Sequence, residues 1–455
     1  MLHLFDTVAA VSTPRGKGGI AVIRISGSDT AAILRKIFRG KRDPLQHPRC
    51  ACFGQILEGE AVLDEGLVLY FPAPHSFTGE DVAEISCHGG ALLTETVLGA
   101  VFAAGAVAAP AGEFTRRALL NGKITLSEAE ALGALLDATT TGQMTLAQNG
   151  MAGKLSREIN DRFERLTFLL ADAYAKIDFP DEDLNTLTRE DLTDALIAEK
   201  ARIDALLATY RTGHAVAEGV ATVICGPVNA GKSTLYNALV GRNAAIVTDV
   251  AGTTRDILCE TVALGAVTLR LSDTAGLRET EDTVEGIGVE RAREAMESAE
   301  LILAVLDGSK PLGEAEEAFL QGLVPLRGTV ILLLNKSEET CRISEERLKN
   351  FQHVLHISAK SGEISALREL VEHLYLCDGI SLREDAVVAN ARQYGALSRC
   401  TKGLAVAIAS LQGEVPLDAA CVDAELALQA LGEVDGRAVD EEVVASIFSH
   451  FCVGK

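Results

Sequence analysis

The chain has 455 residues, 48% of them hydrophobic, so it is long enough for several domains with separate cores. A formal net charge of −22 argues against a protein that coats nucleic acid by itself, although a local basic patch is compatible with it. No apolar run reaches the roughly 20 residues of a membrane span. The first residues also lack the basic and apolar regions of a signal peptide. We therefore expect a cytoplasmic protein of three or so domains.

The N-terminal region, up to about residue 120, alternates short apolar runs with turns. Its patterns predict strands at 18–27, 64–71 and 81–86 and a helix at 92–104, which is typical of an α+β domain. A cluster of basic residues suggests a charged patch, for which a solvated helix end and loop is the simpler interpretation. Its members are Arg35, Lys36, Arg39, Lys41 and Arg42.

From about residue 126 the apolar pattern takes the 3.6-residue period of helices, as in 155–170 and 192–207. The same period returns after about residue 378. Two helical segments therefore flank the middle of the chain. They either form one bundle into which the middle domain is inserted, or make two separate helical domains, and the single bundle is the simpler packing.

The middle region contains a phosphate-binding loop. An apolar run, Val220–Cys225, precedes the sequence Gly-Pro-Val-Asn-Ala-Gly-Lys-Ser at 226–233, and helix-forming residues follow it. A strand, a G-x-x-x-x-G-K-S loop and a helix in this order cradle phosphate oxygens with backbone N–H groups. Lys232 is then expected at the β- and γ-phosphates, and the Ser233 hydroxyl at Mg²⁺.

Further motifs follow at the ends of predicted strands. A polar loop at 248–256 fits a switch, a hairpin turning at Gly265 leads to Asp-Thr-Ala-Gly at 273–276, and apolar runs at 301–306 and 329–334 fit central parallel strands. The second run leads into Asn-Lys-Ser-Glu at 335–338, and a last strand at 354–357 leads into Ser-Ala-Lys at 358–360. The predicted nucleotide-binding residues are Asn229, Ala230, Gly231, Lys232, Ser233, Thr234, Thr248, Asp249, Val250, Ala251, Gly252, Thr253, Thr254, Asp273, Thr274, Ala275, Gly276, Asn335, Lys336, Ser337, Glu338, Ser358, Ala359 and Lys360.

This motif order resembles that of GTPases, with two departures. Glu338 stands where an aspartate usually accepts hydrogen bonds from guanine, so the carboxylate lies one methylene further out. We expect guanine preference to be retained with weaker or less selective binding. Pro227 removes one N–H before the phosphate cradle, which phosphate binding should survive.

The whole chain resembles the bacterial tRNA modification GTPase family MnmE, also called TrmE. The supporting stretches outside the GTPase motifs are 18–27, 76–81, 88–90, 112–118 with 120–123, and the terminal Phe-Cys-Val-Gly-Lys. The resemblance implies a multidomain α/β protein. Its parts are an N-terminal α+β folate-binding and dimerisation domain (1–121), a helical bundle from two segments (122–218 plus 379–455) and an inserted Ras-like P-loop GTPase domain (219–378).

The resemblance also implies the chemistry. The family hydrolyses GTP in a potassium-dependent way, and works as a homodimer with an FAD-containing partner. Together they add an aminomethyl or carboxymethylaminomethyl group to C5 of the wobble uridine in tRNA. The one-carbon donor is 5,10-methylenetetrahydrofolate, for which 5-formyltetrahydrofolate is an analogue, and the amine is glycine or ammonium. The tRNA is bound directly or through the partner.

Residue roles carry over by motif. Leu277 stands where Ras-like switches carry a water-orienting glutamine, and the family instead pairs two GTPase domains across K⁺. Glu285 matches the family's catalytic glutamate. Cys452 is a candidate nucleophile or partner contact. The implied ligands are Ser233 and Thr254 for Mg²⁺, Asn229, Thr248, Val250 and Thr253 for K⁺, and Arg24, Glu80, Lys123 and Lys455 for the folate.

Two other functions share these GTPase motifs. A regulatory GTPase switch in RNA or ribosome assembly would carry out no modification chemistry and would need neither a folate site nor the C-terminal signature. A nucleotide-dependent structural scaffold would show no potassium-stimulated turnover. Folate binding and K⁺-dependent GTP hydrolysis therefore separate the three hypotheses.

Overall fold

The computed structural model describes residues 6–14, 16–179, 186–243, 259–272, 293–377, 379–413, 415–437, 439, 441–449, 451 and 454. The chain folds into two compact units. The first comprises Met1–Gly133 and Asp435–Lys455, and the second comprises Ala134–Val434. None of the helices in the described ranges combines the length and the apolarity that a membrane crossing requires.

The first unit contains a seven-stranded sheet in the order β3-β4-β5-β6-β2-β1-β7. All neighbours are antiparallel except β1 with β7. Branched apolar residues alternate along the strands, so Ile23, Ile25 and Ile85 lie fully buried on one face against Val97 and Val101 of a helix. The strands are β1 (Val8–Val11), β2 (Ile20–Ser26), β3 (Phe38–Gly40), β4 (Cys52–Glu58), β5 (Ala61–Phe71), β6 (Val82–His88) and β7 (Val107–Ala108); the helices are α1 (Thr30–Ile37), α2 (Ala91–Ala103) and α3 (Glu113–Leu120).

The second unit contains a helical bundle whose core comes from both helical segments of the sequence. Leu166 and Ile203 from the first segment share one buried cluster with Leu397, Leu404 and Leu431 from the second. This cluster confirms the single bundle over two separate helical domains. After α4 (Leu126–Asp137), which spans the boundary of the two units, the helices of the first segment are α5 (Thr141–Met151), α6 (Lys154–Asp178), α7 (Arg189–Ala208) and α8 (Tyr210–Ala217).

Between the two helical segments lies a six-stranded sheet in the order β13-β12-β11-β8-β10-β9. Only β9, at one edge, pairs antiparallel with its neighbour. Apolar clusters cover both faces of the sheet, so its strands consist of continuous apolar runs as predicted. The elements are β8 (Val220–Cys225), α9 (Lys232–Asn243), β9 (Cys259–Leu264), β10 (Val267–Ser272), β11 (Leu301–Asp307), α10 (Glu314–Leu323), β12 (Thr329–Asn335), β13 (His353–Ile357) and α11 (Ser365–Tyr375).

The last helices are α12 (Ala391–Gln412), α13 (Leu417–Asp435) and α14 (Glu441–Ser449). α14 packs on α3 of the first unit, where a Cβ on Gly112 would lie 2.7 Å from the Phe448 carbonyl oxygen. Further on, Ser12 Oγ donates a hydrogen bond to the Gly454 carbonyl oxygen (2.9 Å). The C-terminal residues from Asp435 thus group with the N-terminal sheet, whereas the sequence places 379–455 with the helical segments. The three domain boundaries stay a prediction.

Candidate functional site

The phosphate-binding loop joins β8 to α9, at the carboxyl edge of the six-stranded sheet. Lys232 Nζ donates to the carbonyl oxygens of Gly226 (2.9 Å) and Pro227 (2.8 Å), so its side chain folds back over the loop. Burial lowers the pKa of this half-buried amine. Asn229 adopts a left-handed backbone with φ 62°. The loop is thus built as its glycine-rich sequence predicts.

Asn335, the last residue of β12, ties the phosphate-binding loop to the second predicted base-reading loop. Its Nδ2 donates to the Ala230 carbonyl oxygen (3.0 Å), and its Oδ1 accepts from the Ala359 N–H (3.0 Å). The side chain is buried, and both its nitrogen and its oxygen form a hydrogen bond. A Cβ on Gly231 would lie 2.1 Å from Asn335 Nδ2, so only glycine allows this close approach. Asn335 therefore sets the spacing between the two loops.

Lys336 is held by a residue that sequence reasoning missed. Its Nζ donates to Asp307 Oδ2 (2.6 Å), while Asp307 Oδ1 accepts from the Ser309 hydroxyl (2.6 Å) and N–H (3.1 Å). Burial alone would raise the pKa of Asp307, but these hydrogen bonds outweigh it and hold the pKa at about 2. The feature of the sequence that could have identified Asp307 is its position at the carboxyl end of a predicted parallel strand, where ligands bind in such sheets.

A cavity of about 470 Å³ opens between the phosphate-binding loop and the predicted base-reading loops. Glu338 lines it, and the Ser358 hydroxyl is the main cause that lowers the pKa of this carboxyl group. Glu339, which the sequence did not single out, lines it too. The other lining residues are Asn229, Gly231, Lys232, Ser233, Thr234, Asn335, Lys336 and Lys360.

The structure thus brings together nine of the predicted nucleotide-binding residues around one cavity. Ala230 and Ala359 lie behind it as the partners of Asn335, and the Ser337 N–H donates to the Ile357 carbonyl oxygen (3.1 Å). The remaining candidates lie outside the described residues: Thr248, Asp249, Val250, Ala251, Gly252, Thr253, Thr254, Asp273, Thr274, Ala275, Gly276, Glu285, Cys452 and Lys455.

A second cluster of predicted residues surrounds the loop at 76–81 in the first unit. Arg24 lies with its guanidinium carbon 5.8 Å from the Phe77 ring centroid and binds Glu84 Oε1 through Nη2 (2.7 Å). Lys123 Nζ donates to the Pro74 carbonyl oxygen (3.0 Å), and its side chain borders Gly79. Three of the four predicted folate contacts are therefore grouped around one loop.

Glu80 is positioned by a buried arginine, Arg117, which lies in the 112–118 stretch but was not among the predicted site residues. Its Oε2 accepts from Arg117 Nη1 (2.8 Å) and from the Ser26 hydroxyl (2.8 Å). Arg117 also binds Glu113 Oε1 (2.9 Å) and is only 3% exposed. A buried arginine with this many partners fixes the orientation of the carboxylate that it pairs.

No group of three or more His, Cys, Asp or Glu side chains suited to a metal ion occurs in the ranges that the structure covers. The predicted Mg²⁺ and K⁺ ligands are hydroxyl, amide and carbonyl oxygens, which such a cluster would not contain.

Comparisons with known proteins cover both ends of the chain. The family model for the MnmE helical domain matches residues 126–452, and the model for the GTP-binding protein TrmE N-terminus matches residues 7–123. The tRNA modification GTPase MnmE of Clostridioides difficile (strain 630) is 38% identical over 100% of both chains. The chain belongs to the MnmE family of tRNA modification GTPases. The protein of the same name from Heliobacterium modesticaldum is 41% identical over 99% of each chain.

Membership in the MnmE family confirms several predictions. The fold class is that of a multidomain α/β protein with a P-loop GTPase inserted into a helical bundle, and the chain is a GTP hydrolase that acts in tRNA modification. Among solved structures, the G domain of the T. maritima FeoB iron transporter is 26% identical over 33% of this chain and 93% of that chain, with a TM-score of 0.24. A TM-score this low supports no further conclusion.

Proposed function

We propose that the protein is a potassium-activated GTPase that acts as a homodimer with an FAD-containing partner in the cytoplasm. The complex adds an aminomethyl or carboxymethylaminomethyl group to C5 of the wobble uridine in tRNA, and takes the one-carbon unit from a tetrahydrofolate. The proposal includes three domains, 1–121, 122–218 with 379–455, and 219–378. Family membership supports it over a GTPase switch without modification chemistry.

The observation that carries the GTPase part is the cavity of about 470 Å³ between the phosphate-binding loop and the predicted base-reading loops. Lys232 and Ser233 lie at one side of it, and Lys336 and Glu338 at the other. A nucleotide spanning this cavity would place its phosphates on the helix N-terminus and its base against the Asn-Lys-Ser-Glu segment.

The described residues fit the implied metal ions. Ser233 lines the cavity, where its hydroxyl would bind Mg²⁺ together with Thr254. Asn229 lines it too, and its side-chain amide would bind K⁺ together with Thr248, Val250 and Thr253. A bound K⁺ would supply positive charge beside the phosphates, where other GTPases use an arginine. Glu285 would orient the attacking water.

The folate part rests on the cluster around residues 76–81. With Glu80 Oε2 occupied by Arg117 and Ser26, its other oxygen faces no partner in the described part of the chain and can accept from a pterin ring. Arg24 and Lys123 supply the positive charge that suits the carboxylate of a folate. Lys455 would join them.

The GTPase part is tested by measuring phosphate release from GTP in equal concentrations of K⁺ and Na⁺. We expect turnover only in K⁺, and Glu285→Ala should lower it by about 100-fold while GTP affinity stays unchanged. Equal rates in both salts would overturn the potassium mechanism. Full activity of Glu285→Ala would remove that residue from it.

The folate part is tested by isothermal titration with 5-formyltetrahydrofolate. We expect binding that Glu80→Gln weakens about tenfold, since the amide has only one acceptor oxygen and its NH2 group donates instead. Absence of binding to the unsubstituted protein would favour the regulatory switch. Mass spectrometry of wobble uridine in cells that lack the protein then tests the modification itself.

A further inference from the structure

One edge of the seven-stranded sheet carries a groove of about 640 Å³ that none of the sites above uses. Edge strand β3, the loop after it and strand β4 line this groove, and its main side chains are Arg39, Lys41, Arg42 and Phe53. We call these four residues the basic groove. The other lining residues are Gly40, Ala51, Gly54, Gln55 and Glu65.

The three cationic side chains of the basic groove form no ion pair within the described residues. Arg39, Lys41 and Arg42 are exposed, and within the described ranges no carboxylate oxygen lies within 4 Å of their charged groups. Residues 30–57 contain six Lys and Arg and one acid, Asp43, although the chain as a whole carries −22. Such a contrast creates a local positive potential that attracts anions from solution.

Phe53 adds an apolar face to the basic groove. Strand β4 alternates, so Cys52 and Ile56 are buried in the core while Phe53 points to the opposite face and is 62% exposed. Its cross-strand partner Leu67 is 40% exposed. Arg39 pairs with Gln55 in the neighbouring strand, two residues further on the same face. An aromatic ring and a cationic side chain therefore share one face of the sheet.

We propose that the basic groove binds tRNA, with Arg39, Lys41 and Arg42 on backbone phosphates and Phe53 stacked on an unpaired base. The proposal rests on the family's function in tRNA modification, and names where this acidic chain contacts its RNA. A positive groove next to an exposed aromatic ring is the combination that binds single-stranded regions of nucleic acids. The negative charge elsewhere on the chain directs the RNA to this groove.

A second copy of the chain is a poorer occupant. If the two-fold axis of a dimer passed through the groove, the three cationic side chains of each copy would face like charges. The groove has a single acidic lining residue, Glu65, to offset them.

The test measures binding of an unmodified tRNA transcript to the full chain by filter binding, over a series of salt concentrations. The variant is the triple substitution R39E/K41E/R42E. Its matched control is R327E/K349E/K402E, which changes the net charge equally at exposed residues of the second unit. We expect the groove variant to bind at least about tenfold more weakly, with a salt slope lowered by about 2 to 3. The control should keep the slope.

Two further variants keep the test decisive. R39Q/K41Q/R42Q removes the charge without reversing it and should lower the slope similarly, which covers the case in which the reversed charges unfold the sheet. Phe53→Ala should weaken binding about fivefold or more without changing the slope, since stacking involves no counterion release. GTP turnover should be unchanged in all of them, because the groove shares no residue with the cavity proposed for GTP.

Several results would overturn the proposal. Equal weakening by the groove and control triples would mean that bulk charge alone acts, and unchanged binding in the groove triple would place the RNA elsewhere. An altered oligomeric state in gel filtration with unchanged tRNA affinity would make the groove a protein interface. The folate and potassium measurements on the same unsubstituted protein are independent of these, so either proposal can fail without the other.

Discussion

At the scale of single residues, the site depends on charged groups held by specific hydrogen bonds. Asp307 is the clearest case, because it fixes Lys336 at the mouth of the nucleotide cavity and is itself fixed by Ser309. Lys336 has a left-handed backbone, with φ 68°, and its ammonium group is held by this ion pair. We infer that Asp307 acts through Lys336 and not on the nucleotide.

Asp307→Asn should weaken GTP binding about tenfold, because the amide keeps the shape of the side chain but no longer attracts the Lys336 ammonium. Competition titration with a fluorescent GDP measures this. Lys310→Gln is the matched control, since the exposed Lys310 lies 3.6 Å from the same carboxylate and should contribute almost nothing. Equal affinity of the Asp307→Asn variant and the unsubstituted protein would contradict the positioning role.

The same ion pair has a predicted pH dependence. The pKa of Asp307 is lowered from 3.8 to about 2 in the folded state, so its ionised form stabilises the fold above the unfolded value. This contribution is lost as the pH falls from about 5 to about 2. The difference in free energy of unfolding between the unsubstituted protein and Asp307→Asn should therefore shrink over that range. Urea unfolding at several pH values tests it, and a constant difference would exclude the carboxylate.

Glu338→Asp should raise the preference for GTP over ITP, which lacks the 2-amino group, by about tenfold. The shorter aspartate places the carboxylate at the usual distance from the base. Its two oxygens can then accept from N1–H and from the 2-amino group of guanine, the second of which ITP lacks. Glu339→Asp is the control, since Glu339 lines the same cavity one residue further along. The readout is the ratio of the two dissociation constants. Identical ratios in both variants would mean that Glu338 does not contact the base.

At the scale of elements, three glycines in register shape the N-terminal sheet. Gly40 lies opposite Gly54, and Gly54 lies opposite Gly66. A Cβ on Gly66 would lie 2.1 Å from the Ser86 carbonyl oxygen, and one on Gly54 would lie 2.4 Å from the Arg39 carbonyl oxygen. At these positions the backbone therefore lies too close to neighbouring atoms for a residue with a Cβ atom.

Gly66→Ala should lower the free energy of unfolding by about 3 kcal/mol, because backbone atoms of β6 cannot move aside as a side chain would. Gly99→Ala is the control: Gly99 lies inside helix α2, where nothing is within 4 Å of an added Cβ, and alanine should stabilise the helix by about 0.5–1 kcal/mol. Urea denaturation followed by circular dichroism compares them. Equal stability of both variants would show that the sheet relaxes.

The sequence predicted the elements whose pattern is local. The continuous apolar runs of β8, β11 and β12 and the hairpin at Gly265 are confirmed. Strands β3 and β4 were not predicted, because they lack the regular alternation of apolar and polar residues. Gly40 and Gly54 stand at paired positions of these strands, and the apolar Phe53 is exposed. Asp307 was missed for a related reason. Only its register opposite Asn335 places it beside Lys336, and register between strands is not visible in one sequence.

At the scale of the whole molecule, the helical bundle is built from two segments that a long insertion separates in the sequence. Its core joins α6 and α7 to α12 and α13, although some 180 residues of sequence separate α7 from α12. Such a core predicts that both segments unfold together, whereas separate helical domains would unfold independently.

The chain contains no tryptophan, so one introduced in each segment reports on that segment alone. Phe168→Trp in α6 and Leu426→Trp in α13 replace exposed apolar side chains, which the structure should tolerate. We expect the two reporters to give the same urea midpoint. Leu397 is a fully buried residue of α12, so adding Leu397→Ala should lower the free energy of unfolding by about 2–5 kcal/mol. Both reporters should then show the same decrease in the urea midpoint. Val406→Ala, at a half-exposed residue of the same helix, is the control and should change neither. If Leu397→Ala shifted only the α13 reporter, the two segments would not share one cooperative core.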